Sequence, residues 1–166
     1  MIETAVEATE GRVPGGTVSE ILAMGREMLA HPIELLPHAR EAVEAASELG
    51  EVVLITKGDL LHQEQKLAAS GLGDLFDAVE IVSDKTPATY LRVFARHGGR
   101  HAMMVGNSLK SDVIPALAAG AWGVHIPHGL TWELEAADAP LGHPRFREIP
   151  SLGELPALIG MLSPAG

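Results

Sequence analysis

Residues 52–59 read VVLITKGD, residues 78–87 read AVEIVSDKTP, and residues 102–112 read AMMVGNSLKSD. Each opens with a short apolar run and closes in small, hydroxyl and charged residues. Runs this short, bounded by turn-forming residues, fit strands buried on both faces of a sheet. A fourth run, GVHI at 123–126, follows. Helical stretches lie between them: 60–70, ended by Gly71; 87–97, opened by Pro87; and about 111–119. Strands alternating with helices predict a parallel sheet covered on both faces, with right-handed crossovers.

Outward from this block the pattern changes. On the N-terminal side Ile2, Ala5, Val6 and Thr9 share one helical face, and glycines between 11 and 16 interrupt it. Thr17 and Glu20 have the spacing of a capping box. Val18, Ile21, Leu22, Met28 and Leu29 continue on a helical rhythm that His31-Pro32 ends. A further helix is expected from Pro37 to about Leu49, with Gly50 as its C-cap. On the C-terminal side, 131–136 suggests one or two helical turns and 146–149 a short edge strand. Ser151 and Glu154 again show capping-box spacing before a last helix over about 152–161.

Composition narrows the function classes. The 166 residues hold 12 Lys and Arg against 22 Asp and Glu, a formal net charge of −10, which disfavours nucleic acid and anionic lipid as partners. There is no cysteine, so disulfides, thiolate metal sites and cysteine nucleophiles are excluded. No apolar run approaches the roughly 20 residues that span a bilayer. The N-terminus lacks a basic flank with an apolar core, so the expectation is a cytoplasmic protein. Aromatic residues make up only 4%, which leaves the core to Ala, Leu, Val and Ile.

In an open parallel sheet, ligands bind outside the carboxyl ends of the strands. There the sequence places Thr56-Lys57-Gly58-Asp59, Ser83-Asp84-Lys85-Thr86-Pro87, Gly106 to Asp112 with Asn107 second, and Pro127-His128-Gly129. Lysines and hydroxyls suit phosphate oxygens, and carboxylates suit a hard divalent cation such as Mg²⁺. Each position also has a plain structural reading as a helix cap or a solvated charge. Their recurrence on successive strand ends is what points to a site.

Thr56 closing VVLIT, Lys85 in SDKTP, and GNSLKSD after AMMV resemble three ordered motifs of the haloacid dehalogenase-like (HAD) hydrolases. The likeness runs from about residue 17 to about 160. It implies a Rossmann-type three-layer α/β/α parallel sheet. Residues 1–36 would be the remnant of a helical cap, and residues 37–166 a core lacking its first strand. It further implies that Thr56 holds a phosphoryl oxygen and that Lys85 neutralises charge between phosphate and nucleophile, with Lys57 as a further substrate-binding cation. Asp112 and Asn107 would hold Mg²⁺. Asn107 stands where the family usually has an acid and brings no charge, so metal binding is expected to be weak or absent.

The family's nucleophile is an aspartate in a D-x-D motif ending the first strand, and no D-x-D occurs in this chain. The chain as written is therefore expected to be inactive alone. It would be a fragment or a displaced start, a shortened non-catalytic relative, or a chain that receives the strand from another. The absent strand would normally lie between the Thr56 and Asn107 strands. Its loss predicts closure of those strands on one another, self-association through their unpaired edges, or aggregation. The full-length activity implied is a Mg²⁺-dependent phosphatase acting on a small phosphorylated metabolite. The alternatives are a 2-haloacid dehalogenase and a non-catalytic binding module.

Other features read as structural. His125 and His128, three apart on an extended chain, point to opposite faces and do not predict a shared metal. His97 and His101 flank a Gly-Gly turn and are expected to be solvated. No serine sits in a G-x-S-x-G elbow, and GNSLKSD is not a phosphate-binding P-loop. Trp122 is expected to pack, and Trp132 either to pack or to line a substrate pocket.

Overall fold

The computed structural model describes residues 2–30, 34–97, 99, 101–129 and 137–162. The chain divides into two compact units, Met1–Glu34 and Leu35–Gly166. In the first, α1 (Ile2–Ala8) is closed by Gly11 at φ 81°, whose N–H reaches the Val6 carbonyl at 2.8 Å, and α2 spans Gly15–Ala30. α2 starts before Thr17, because the Pro14 carbonyl accepts the first helical bond from Val18 N–H, so Thr17 and Glu20 are not its capping box.

The second unit runs α3 (Ala39–Ser47), β1 (Val53–Lys57), α4 (Leu60–Ser70), β2 (Ala78–Val82), α5 (Pro87–Arg96), β3 (Met103–Gly106), α6 (Ile114–Ala118), β4 (Trp122–His125), β5 (Phe146–Glu148) and α7 (Leu155–Leu162). The expected order of strands and helices holds. β1 and β2 pair in parallel with Val53 opposite Ala78. β3, β4 and β5 form a second parallel ladder, with Gly106 opposite His125 and His125 opposite Glu148. β5 is thus the expected short strand at the edge. Among the described residues no strand joins the two ladders, and β1 has not closed on β3.

Side chains alternate across the strands, so each face meets its own helix layer. Met103, Val105 and Val124 pack with Ala42 of α3 and Leu155, Leu158 and Ile159 of α7. On the other face Met104 of β3 and Ile55 of β1 both pack against Tyr90, Ala116 and Ala121 around α5 and α6. That shared cluster keeps the two ladders in one unit without a hydrogen-bonded joint. Among the described residues no helix is long and apolar enough to cross a membrane.

Three local expectations need correction. α3 ends at Ser47, and Gly50 lies beyond its cap, because Leu49 and Gly50 both turn their N–H groups back to the Ala46 carbonyl. The helix expected over 111–119 begins as a π-helical turn, Leu109–Val113, before α6. Ser151 makes no side-chain cap, and a short 3₁₀ turn, Leu152–Glu154, precedes α7. The Gly71 cap of α4, at φ 66°, is as expected. Residues 31–33 and 131–136, and with them Trp132, lie outside the described residues.

Candidate active site

The loops after β2 and β3 meet at the carboxyl edge. Lys85 Nζ lies 2.7 Å from Asp112 Oδ1, and only 15% and 7% of these two side chains are exposed. The other carboxylate oxygen, Oδ2, accepts the Ser108 backbone N–H at 3.1 Å. A buried carboxylate is tolerable when both oxygens are engaged this way. Gly106 is what lets the carboxylate sit there: a Cβ on it would overlap the Asp112 carboxylate. Asp112 is presented by the π-helical turn, which starts at the Ser108 cap, where the Ser108 hydroxyl accepts the Ser111 N–H at 3.0 Å.

Lys85 lies next to Thr86, the cap of α5. Thr86 caps that helix by accepting the Thr89 N–H at 3.2 Å, and Pro87 starts it with a fixed φ. Thr86, Asp59 and Ser108 therefore act as helix caps, the plain reading of such positions.

Thr56 is half-buried at the end of β1 and donates its hydroxyl to Gln63 Oε1 at 3.1 Å. Gly58, at φ 142°, leaves room for the Gln63 amide; a Cβ there would meet it at 2.8 Å. Lys57 is exposed, 3.8 Å from Asp84. Asn107 is exposed, and its backbone carbonyl accepts from His125 Nε2 at 3.2 Å. The structure thus joins Lys85 to Asp112 directly. Thr56, Lys57 and Asn107 stand at strand ends with other partners.

Three participants escaped the sequence reading. His125 is buried, with Nδ1 2.8 Å from Glu148 Oε2 and Nε2 on the Asn107 carbonyl, so it steadies the loop after β3. Its place opposite Glu148 follows from pairing between β4 and β5, which sequence alone does not register. Tyr90, fully buried, donates to the Ser111 carbonyl at 3.1 Å. Burial, and then the charge of Asp112, push its hydroxyl pKa well up, so it stays a donor at any ordinary pH. Gln63 was legible only as a residue of α4.

His97 is not solvated, contrary to expectation. Its Nδ1 lies 2.5 Å from Glu51 and its Nε2 3.0 Å from Glu80, and only 15% of the side chain is exposed. The partners come from the chain before β1 and from β2, so local turn chemistry could not reveal them. His101 and His128 are exposed. Trp122 packs as expected, with the Arg147 guanidinium 4.9 Å from its ring centre.

The sequence profile of the hydrolases called haloacid dehalogenase-like matches residues 4–120. A haloacid dehalogenase-like family hydrolase from Xanthomonas campestris is 45% identical, with a TM-score of 0.81 over 97% of this chain and 69% of its own. The chain belongs to the haloacid dehalogenase-like hydrolases. A HAD phosphatase from Thermococcus onnurineus is 27% identical, with a TM-score of 0.58 over 76% of this chain and 59% of its own. A dehalogenase in an intermediate complex shares the fold, at 24% identity and a TM-score of 0.58, over 74% of this chain and 55% of its own. No curated protein matches.

HAD hydrolases commonly use Mg²⁺, and the donor set of this chain can be tested against that ion. Asp112 is buried and already neutralised by Lys85, with its second oxygen on a backbone N–H. Among the described residues no three His, Asp or Glu side chains come together as a metal-holding group. Mg²⁺ demands near-octahedral oxygen ligands and favours carboxylates. The residues present do not by themselves make that site.

Proposed function

We propose that this HAD chain supplies the phosphate-facing side of a hydrolase for small phosphorylated metabolites, and that alone it binds phosphate without turning it over. The observation that carries this reading is the nearly buried Lys85–Asp112 pair where two strand-end loops meet. Phosphoryl transfer depends chiefly on positioning and on charge held ready for the phosphoryl oxygens. Lys85 is such a charge, kept in place by Asp112. The Thr56 hydroxyl, now donated to Gln63, supplies a donor at the neighbouring strand end, and exposed Lys57 adds positive charge at the rim. The covalent step needs a carboxylate nucleophile, and no D-x-D occurs in the sequence. Magnesium binding by this chain is weak or absent, in keeping with its single, neutralised carboxylate. The helices of Met1–Glu34 belong, on this reading, to a cap.

The test is a pair of measurements on the 166-residue protein. Hydrolysis of p-nitrophenyl phosphate should stay at the blank rate with or without magnesium. Inorganic phosphate should bind, followed by ³¹P NMR, and binding should be lost in the double variant Lys85→Met with Asp112→Asn. That variant neutralises both partners and strands no buried charge. Turnover by the chain alone, or phosphate binding indifferent to the double variant, would refute the proposal.

One observation favours a second reading, 2-haloacid dehalogenation. Both oxygens of Asp112 are engaged, which a reaction needing no cation tolerates. Halide release from 2-chloropropionate under the same conditions would select it.

A further inference from the structure

Tyr90 is fully buried in α5, its ring 5.6 Å from that of Phe94 and packed with Ala116 and Ala121. Phenylalanine would fill the same space. The hydroxyl is tolerated in that layer only because it has a partner, the Ser111 carbonyl at 3.1 Å. The location of that carbonyl is what matters. Ser111 lies within the π-helical turn Leu109–Val113 and directly precedes Asp112. In this turn the Ser108 carbonyl accepts both Asp112 N–H at 2.9 Å and Val113 N–H at 3.1 Å. The wide turn inserts one residue relative to an α-helix, and so rotates the residues around it by roughly 100°. Single π turns need support to persist against the tighter α form.

Lys85 and Tyr90 sit on one rigid piece. The Tyr90 N–H closes the first helical bond of α5 on the Thr86 carbonyl at 3.0 Å, and Pro87 fixes the backbone between them. Two adjacent residues of the π-helical turn are therefore tied to this piece at two points. The Asp112 carboxylate meets Lys85, and the Ser111 carbonyl meets Tyr90. We propose that Tyr90 is a positioning residue of the site: its hydroxyl fixes the π-helical turn against α5 and thereby holds Asp112 on Lys85. This rests on the reading of Lys85 and Asp112 as the charge-bearing pair of the site.

The test compares the 166-residue protein with Tyr90→Phe, which keeps the ring, and with Val93→Ala. Val93 is 2% exposed on the same helix and is not in the site, so its truncation loosens packing without touching the turn. The readout is hydrogen exchange of the Lys85 ammonium, followed by ¹H–¹⁵N NMR on lysine-labelled protein. Loss of one neutral hydrogen bond should speed that exchange about three- to tenfold in Tyr90→Phe. Val93→Ala should leave it within about twofold, although it lowers Tm at least as far. Unchanged exchange in Tyr90→Phe, equal acceleration in Val93→Ala, or no protected Lys85 ammonium in the unaltered protein would each overturn the proposal. The same samples titrated with inorganic phosphate separate the two readings. Exchange that responds as expected in a protein that binds no phosphate upholds Tyr90 and refutes the phosphate site.

Discussion

The two ladders of the core start from similar apolar runs and end at different depths. In the three-stranded ladder Gly123, Val124 and His125 of β4 are all buried, with α3 and α7 over one face and α5 and α6 over the other. In the two-stranded ladder no residue of β1 is buried, Val82 is the one buried residue of β2, and Val79 is 41% exposed. β1 carries VLITK and β4 carries WGVH, so the more β-branched strand is the less buried one. Burial here follows the number of flanking strands. β4 has a partner on each side, whereas β1 and β3 each have one among the described residues.

Counting chains is the most severe way to break this comparison. Partly exposed apolar strands with an unsatisfied edge recruit other chains. We expect the 166-residue protein to self-associate, with light scattering giving at least twice its 17.5 kDa mass. A monodisperse monomer with one sharp thermal transition would show that the β1 and β3 edges are better protected than their burial implies.

A matched pair of truncations sharpens it. Val124, fully buried in β4, should cost about 2 kcal/mol when changed to alanine, as lost burial plus a residual cavity. The same change at Val79 should fall within about 0.5 kcal/mol, as for most exposed positions. Urea unfolding at one pH measures both. Equal costs would mean that the two ladders are packed alike after all.

Much of this was legible in the sequence, and the reason is periodicity. VVLIT, AVEIV and AMMV announce strands because apolar runs that short between turn residues have few other uses. The helix caps at Thr86 and Gly71 were equally readable from local chemistry. What stayed hidden depends on partners remote in sequence. Lys85 reaches Asp112 across 27 residues, and His97 reaches Glu51 across 46. A family motif marks each of the first two as a site residue, but it assigns them to phosphate and to metal and does not pair them with one another. The second pair has no motif, and its Gly-Gly surroundings suggested solvent. The π-helical turn was missed because one inserted residue leaves no mark on a pattern of apolar positions, and Tyr90 was missed with it.

The smallest expected effect concerns the charged cluster on the two-stranded ladder, where His97 bridges Glu51 and Glu80 and Arg96 lies 2.5 Å from Glu80. Hydrogen bonds from Glu80 and then Glu51 raise the His97 pKa above its ordinary 6.5, and outweigh the opposing effect of burial. The bond to His97, with help from Arg96, lowers the Glu80 pKa below its ordinary 4.5. A raised histidine pKa contributes stability that is complete below 6.5 and lost as pH rises through the folded value. A lowered carboxylate pKa contributes stability that is complete above 4.5 and lost as pH falls through the folded value. The two windows overlap between pH 4.5 and 6.5, where the cluster should contribute most. Replacing His97 by glutamine keeps hydrogen-bonding capacity and removes the charge. The Tm difference between the unaltered protein and His97→Gln should therefore peak in that window, at roughly 1–3 °C for ion pairs near a surface. It should shrink as pH rises beyond 6.5 and His97 loses its proton. Salt should reduce the difference as well, because the cluster is only partly shielded from solvent. A difference that stays constant from pH 5 to pH 9 would assign His97 a packing role and leave the Arg96–Glu80 pair as the charged tie between α5 and the two-stranded ladder.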